Sequence, residues 1–212
     1  QINEIVYQGI ETITLKDLNY AAELGYAIRL LAQGKRLESN EFELQVCPSL
    51  IPLQHPLASV HNEFNAVYVV GDQVGESMLM GKGAGGSPTA SAVISDIIDI
   101  SFGISQQTSS RNLETNFQEA TIKPLNETIS HHYLRINAKN QPGVLEKISL
   151  QFAENTISIE KIIQKESNTD NAEIVIITNN IPYQQYLAVK TALTNLDVCN
   201  TIESSIRLYK SL

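Results

Sequence analysis

Tryptophan is absent from the 212-residue sequence, and cysteine occurs only twice, as Cys47 and Cys199. The two cysteines lie far apart and have neither a metal-binding spacing nor the density of a disulfide scaffold. We therefore expect two reduced, buried thiols in a cytoplasmic protein. No metal site is predicted.

Positive charge is also scarce, with 15 Lys and Arg against 23 Asp and Glu and a formal net charge of −8. Most of the acidic excess falls in residues 1–105, whereas residues 131–212 are neutral overall. Without a basic surface, nucleic acid is not an expected partner. No apolar run is long enough to cross a bilayer and no charged-then-apolar leader opens the chain, so no membrane partner is expected either. The first residue is Gln1 and not Met, which is consistent with a piece of a longer protein.

Glycine is concentrated in one place, where four glycines fall within residues 81–86. Such a loop allows positive φ angles and a close approach of the backbone to a ligand. A helix is predicted to follow, with Ser87 as its cap and Pro88 as its first residue. A loop of this kind directs amide groups and the positive end of a helix dipole to one point, which suits an anion or a polar cofactor.

Two familiar interpretations of this loop fail on context. Gly81, Gly83 and Gly86 have G-x-G-x-x-G spacing, but no second strand follows and no acid is placed to hold a ribose, which argues against a Rossmann domain. Lys82 is followed by Gly83 and not by Ser or Thr, so the segment is not a P-loop either. A tight turn that feeds a buried helix explains the glycines as well as a binding role does, and this alternative stays open.

The first part of the chain has an α+β pattern. Thr14 predicts the cap of a short helix with Leu15, Leu18 and Ala22 on one side. Periodicity and turn residues predict this helix over 15–24, strands over 26–32, 41–46, 65–70 and 74–80, a proline-rich loop over 48–57, and a helix over 88–103. We expect the second helix to pack on these strands, which form a mixed sheet, and residues 106–130 to form a linker.

The last part has a different pattern. Strands are predicted over 133–138, 157–164, 172–178 and 201–209, and helices over 144–155 and 183–195. This βαββαβ order predicts a ferredoxin-like domain over 131–212, in which four antiparallel strands carry both helices on one face.

Several motifs of the first hundred residues resemble the later half of the substrate-binding and dimerisation domain of homoserine dehydrogenases. They are Ile10 to Thr14, Ala22 to Leu31, His55 to Val60, Gly83 to Gly85 and Pro88 to Asp96. The βαββαβ segment, with its turn from Asn140 to Leu145, resembles an ACT regulatory domain. The resemblance thus divides the chain into a partial substrate-binding domain over 1–105, a linker over 106–130 and an ACT domain over 131–212.

The resemblance implies an NAD- or NADP-linked interconversion of homoserine and aspartate semialdehyde, on the path to threonine, isoleucine and methionine. It also implies that the nucleotide-binding domain and the Asp/Lys helix of the family lie N-terminal to everything here. None of Lys16, Lys35 and Lys82 stands in that catalytic motif, so no catalytic residue is assigned and the chain alone is expected to be inactive. A homodimer or a higher homo-oligomer is expected.

The resemblance assigns residues to two binding sites. Gly83, Ala84 and Gly85 are predicted to contact the dinucleotide, and His55 to anchor its loop. Asn140, Gln141, Pro142, Gly143, Val144 and Leu145 are predicted to bind an amino-acid effector, with threonine expected. His61, His131 and His132 are interpreted as surface or linker residues.

A second function from another class remains open. The ACT domain could be the functional unit of a dimeric, non-enzymatic amino-acid sensor, with residues 1–105 serving only to dimerise. The density of glycine over 81–86 argues against this alternative, because a pure dimerisation domain needs no such loop.

Overall fold

A computed structural model describes residues 5–37, 40–107, 120–166 and 170–209 and confirms the α+β class. The chain alternates short helices with strands. In order, the elements are β1 (Val6–Tyr7), α1 (Leu15–Glu23), β2 (Tyr26–Arg36), β3 (Glu41–Pro52), β4 (Phe64–Gly71), β5 (Gly75–Lys82), α2 (Gly86–Ser105), β6 (Thr121–Ile122), β7 (Ile129–Ser130), β8 (His132–Lys139), α3 (Val144–Glu154), β9 (Ile159–Glu166), β10 (Asn171–Thr178), β11 (Ile181–Pro182), α4 (Tyr183–Thr194) and β12 (Cys199–Leu208).

Contacts divide the chain into two compact units. Among the described residues, the first unit contains 5–37, 40–54, 120–166 and 170–209, and the second contains 55–107. The first unit is thus discontinuous in sequence, because the segment before residue 55 packs with the segment after residue 119. The predicted linker is also partly structured, since it contains β6, a single 3-10 turn at Leu125–Glu127 and β7, while residues 108–119 lie outside the described ranges.

The C-terminal part forms the predicted βαββαβ arrangement. Its strands lie in the order β12, β8, β10, β9, and every neighbouring pair is antiparallel. Helices α3 and α4 contact each other. Their apolar side chains and those of one sheet face form a single core, which includes Leu134, Ile148, Ile174, Val189 and Leu193.

The sheet does not end at β12. Strand β12 pairs in parallel with β3, which in turn pairs with β1, β2 and β6, so eight strands form one mixed sheet. A division of the chain at residues 106–130 does not predict this continuous sheet. The junction is short, with Arg207 opposite Ser49 and Leu208 opposite Leu50.

Strand β3 corrects the predicted proline-rich loop. Residues Pro48 to Pro52 continue the strand, and Pro48 lies opposite Leu30 of β2. Residues Cys47 to Ile51 are buried in succession. A strand that is covered on both faces has a continuous apolar run and not an alternating one, which explains why periodicity ended the strand too early.

Helix α1 begins after Thr14 and ends before Gly25, which has a φ of 87°, as predicted. Its buried face is nevertheless not the apolar side noted in the sequence. Leu15 and Leu18 are exposed, whereas Asp17, Tyr20 and Ala21 are buried. Tyr20 and Ala21 join a second core with Leu50, Tyr133, Val175, Ile177, Ile206 and Leu208.

The second unit contains the antiparallel β4–β5 hairpin and α2. None of the residues of α2 is buried, so the expected packing of this helix on the strands is wrong for the described chain. Its exposed apolar side chains are Val93, Ile94, Ile97, Ile98, Ile100, Phe102 and Ile104. Across the described ranges, no helix has the length and apolar character required to cross a membrane.

Candidate functional site

The glycine loop leads from β5 into α2. Gly85 precedes the helix with a φ of 121°, a conformation that L side chains rarely adopt. The helix begins at Gly86, two residues before the predicted start, so Ser87 and Pro88 lie within its first turn. A Cβ on Gly83 would collide with the side chain of Asn65. Packing against Asn65 therefore explains why residue 83 is glycine, whereas the positive φ angle explains why residue 85 is glycine.

The amides of this loop are only partly engaged. Gly83 donates its N–H to the Glu63 carbonyl at 3.0 Å, and the first helical bond runs from the Thr89 amide to the Gly85 carbonyl at 3.2 Å. Among the described residues, no acceptor engages the amides of Gly86 and Ser87. Two exposed N–H groups thus stand at the positive end of α2, and this arrangement can receive an anionic or polar group.

His55 lies in the second unit, before a single 3-10 turn at Pro56–Ser59. Its Nδ1 accepts the amide of Leu57 at 3.2 Å, and its ring packs edge-on against Tyr68 with the centroids 4.7 Å apart. Burial lowers the pKa of His55, and the charge of Glu76 partly offsets this effect. The side chain caps its own turn, which is the geometry of an anchor.

The turn between β8 and α3 carries the predicted effector residues. Gly143 has a φ of 85° and caps α3, while Gln141, Pro142 and Gly143 are exposed. The amide of Val144 is not available to an effector, because Val144 is buried and its N–H donates to the Gln141 carbonyl at 3.4 Å. Within the described chain, the first helical amides without an acceptor are those of Leu145 and Glu146.

Three asparagines join the strand ends beside this turn. The Nδ2 of Asn200 donates to the Oδ1 atoms of Asn137 and Asn171, both at 2.8 Å, and the Asn140 amide donates to the Asp170 carbonyl at 2.9 Å. Sequence reasoning missed this bridge, because Asn200 is 63 residues from Asn137. The turn is therefore held at a defined position on the sheet.

A buried charge cluster, also missed from the sequence, joins α1 to β8 and β10. Arg135 Nε donates to Asp17 Oδ1 at 2.7 Å, and Arg135 Nη1 to Glu173 Oε1 at 3.3 Å. Tyr133 and Ser204 also donate to the Asp17 carboxylate, and Lys16 Nζ lies 2.6 Å from Glu173 Oε1. The side chains of Asp17, Arg135 and Glu173 are at most 5% exposed. Two cations face two carboxylates, so the cluster is neutral overall.

The cluster sets the protonation of its acids. Burial raises the pKa of Asp17, but hydrogen bonds from Arg135, Ser204 and Thr14 outweigh burial and bring it to about 2. Burial likewise raises the pKa of Glu173, and hydrogen bonds from Lys16 and Tyr20 bring it below its usual range. Both acids are therefore ionised at neutral pH.

His131 and His132 are not surface residues. They are 3% and 1% exposed, and His132 stacks on Tyr186 with the ring centroids 4.1 Å apart. His131 Nδ1 lies 2.8 Å from the Thr178 carbonyl and 3.0 Å from Glu160 Oε2. His61 is exposed, as expected. Both cysteines are buried and free, and the described residues contain no group of His, Cys, Asp and Glu suited to a metal ion.

The chain is similar to known proteins over nearly its whole length. Residues 1–98 match the family model described as homoserine dehydrogenase. The homoserine dehydrogenase of Neisseria gonorrhoeae is 39% identical over 96% of the chain and 47% of the relative, and that of Bacillus subtilis is 34% identical over 98% and 48%. A solved homoserine dehydrogenase from Thiobacillus denitrificans superimposes with a TM-score of 0.85 at 34% identity, over 99% of the chain and 48% of that structure. The chain thus spans about half the length of these relatives.

Proposed function

We propose that the chain, which is similar to homoserine dehydrogenases over nearly its whole length, forms part of an NAD(P)-dependent enzyme of that family. The reaction interconverts L-homoserine and L-aspartate 4-semialdehyde in the cytoplasm, on the way to threonine, isoleucine and methionine. In the oxidative direction, the carbinol carbon loses a hydride and the hydroxyl loses a proton. The family match that extends along both units is the observation that carries this proposal.

The glycine loop is the part of this chain that we assign to the cofactor. The nicotinamide dinucleotide, when bound, supplies the hydride acceptor. The exposed amides of Gly86 and Ser87 fit a polar or anionic group of that cofactor, and we assign Gly83, Ala84 and Gly85 to the same loop contact. The contribution of the loop is binding and orientation, while the proton-transfer groups are supplied from outside residues 1–212.

Replacing Gly85 with Val in the intact enzyme tests the loop assignment. A Val side chain at a φ of 121° forces the backbone to move where it meets the ligand, so the KM for the dinucleotide should rise at least tenfold. Gly75→Val is the matched control, because Gly75 also has a positive φ (75°), lies in open space and belongs to the β4–β5 turn. Equal effects of the two variants on KM, or a loss of thermal stability alone, would show that the loop is only structural.

The chain by itself should not oxidise homoserine. Purified 1–212 is expected to give no NADH or NADPH absorbance above a no-enzyme blank with millimolar homoserine and either cofactor. Measurable turnover would refute the assignment of cofactor fold and proton transfer to regions outside this chain.

We further propose that residues 131–212 act as an ACT regulatory domain that binds threonine at the turn from Asn140 to Leu145. The amides of Leu145 and Glu146 can receive an α-carboxylate, and the bridged asparagines offer polar groups close by. The Glu146 carboxylate stands in the same first turn and opposes an anion there, so the α-ammonium group must contribute to binding. The site is completed where two copies of the domain meet, which makes the protein a homodimer or a higher homo-oligomer.

Calorimetry on the 1–212 chain tests the effector proposal. Threonine should release or absorb heat in a saturable way and raise the melting temperature with concentration. Gly143→Val should abolish both effects because Gly143 has a φ of 85°, whereas Gly75→Val, which strains an equivalent glycine of the other unit, should keep them. No heat and no thermal shift with millimolar threonine, isoleucine or methionine would mean that the domain has no regulatory ligand.

A further inference from the structure

A cavity of about 280 Å³ lies in the first unit, away from the turn that we assign to the effector. Strands β1, β3, β8 and β12, helix α4 and the 3-10 turn at Leu125–Glu127 each contribute to its walls. Its volume corresponds to roughly nine waters at about 30 Å³ each, which suits a small metabolite and not a nucleotide.

The walls of this cavity are cationic. Lys190 and Arg207 line it, and no Asp or Glu is among its lining residues in the described chain. His132 adds no charge, because burial and the charges of Arg207 and His131 lower its pKa to about 3. In a chain with a net charge of −8, a cavity lined by two cations and, among the described residues, by no carboxylate indicates an anionic ligand.

The cationic side chains are held in place by aromatic rings. The Arg207 guanidinium lies 4.8 Å from the centroid of the Tyr183 ring, and its Nη1 donates to Gln45 Oε1. Lys190 Nζ lies 5.9 Å from the centroid of the Tyr186 ring. The Tyr186 ring in turn stacks on His132, and its hydroxyl lies 2.7 Å from Ser205 Oγ. Such prior ordering reduces the entropy lost when a ligand binds.

We propose that this cavity binds a small dicarboxylate without an ammonium group, with one carboxylate at Lys190 and the other at Arg207. The guanidinium retains donors beyond the one that Gln45 engages, and a planar fork of this kind matches a carboxylate. A free amino acid is disfavoured, because its ammonium group would meet two cations and no wall carboxylate. The tyrosine rings contact the carbon chain between the two charged ends.

Succinate is the probe, applied to the 1–212 chain at constant ionic strength. It should raise the melting temperature in a saturable way and change the tyrosine fluorescence, which no tryptophan obscures. Butyrate, which has one carboxylate, should bind at least tenfold more weakly. Threonine should not reduce the affinity for succinate, because it is assigned to a different site. A response to inorganic phosphate without one to succinate would overturn the dicarboxylate assignment.

The variant that tests the contact is Lys190→Met, because Lys190 is exposed and its loss should leave the fold intact. The affinity for succinate should fall at least tenfold, while the heat of threonine binding should be unchanged. Lys35→Met is the matched control, since Lys35 is an exposed lysine of the same unit that does not line the cavity. Equal loss in both variants, or equal stabilisation of both by succinate, would show a general salt effect and refute the site.

Discussion

Arg135 is the residue on which the buried charge cluster depends. Removing it leaves Asp17 and Glu173 buried without their shared cation, and breaking a buried pair in this way costs about 3–5 kcal/mol. We therefore expect Arg135→Ala to lower the free energy of unfolding by about that amount in urea denaturation. Lys147→Ala, which breaks the exposed pair with Asp197, should cost at most about 1 kcal/mol. Similar losses in the two variants would contradict the importance of the cluster.

His132 should make stability depend on pH. Its pKa is about 3 in the folded protein and 6.5 when it is unperturbed, so the unfolded chain takes up the proton first as the pH falls. Its contribution is complete above pH 6.5 and is lost as the pH falls toward 3. Between pH 7.5 and 5, the free energy of unfolding should drop by about 2 kcal/mol, at 1.36 kcal/mol per pKa unit. His132→Phe keeps a ring against Tyr186 and should remove most of this slope, and an unchanged slope would assign the effect to another group.

At the scale of elements, the two sheets should differ in local stability. Strands β8 and β10 are central in an eight-stranded sheet with a core on each face, whereas β4 and β5 form a two-stranded hairpin with mostly exposed side chains. Isolated two-stranded hairpins are only marginally stable, and local opening follows buried contacts. In hydrogen exchange followed by mass spectrometry, the amides of Ile174 to Ile177 should exchange at least a hundredfold more slowly than those of Val67 to Val70. Equal protection would show that the hairpin is covered in solution.

Helix α2 and the β8–α3 turn show how much of each element the sequence could predict. The helix itself and the order βαββαβ followed from local periodicity, which depends on residues close in the chain. The exposure of α2, the Asp17–Arg135–Glu173 cluster and the asparagine bridge did not follow. The cluster and the bridge depend on pairings between residues up to 187 positions apart, such as Asp17 with Ser204, which no periodicity encodes. The glycine loop, predicted over 81–86, comprises only residues 83–85, because β5 extends to Lys82 and α2 begins at Gly86, two residues before the predicted start.

At the scale of the whole molecule, we expect the exposed apolar side chains of α2 to contact a second copy of the chain. Ile97 and Ile100 are 57% and 58% exposed, and contiguous apolar surface of this kind marks an interaction site. Ile97→Lys should shift sedimentation velocity profiles at micromolar concentration toward the monomer, with the circular dichroism spectrum retained. Ser95→Lys adds the same charge at a polar position of the same helix and should have no such effect. A wild-type chain that sediments as a monomer would contradict self-association through this helix.

The two-pair junction between β12 and β3 has a consequence for synthesis on the ribosome. Strand β3 is made before β12, which is the last strand of the described chain, so about 150 residues must be added before the two can pair. Until then, β3 lacks its partner at Ser49 and Leu50, beside a run of buried side chains, and an unpaired stretch of strand edge promotes association between nascent chains. Strand β3 thus completes its pairing only after β12 has left the exit tunnel.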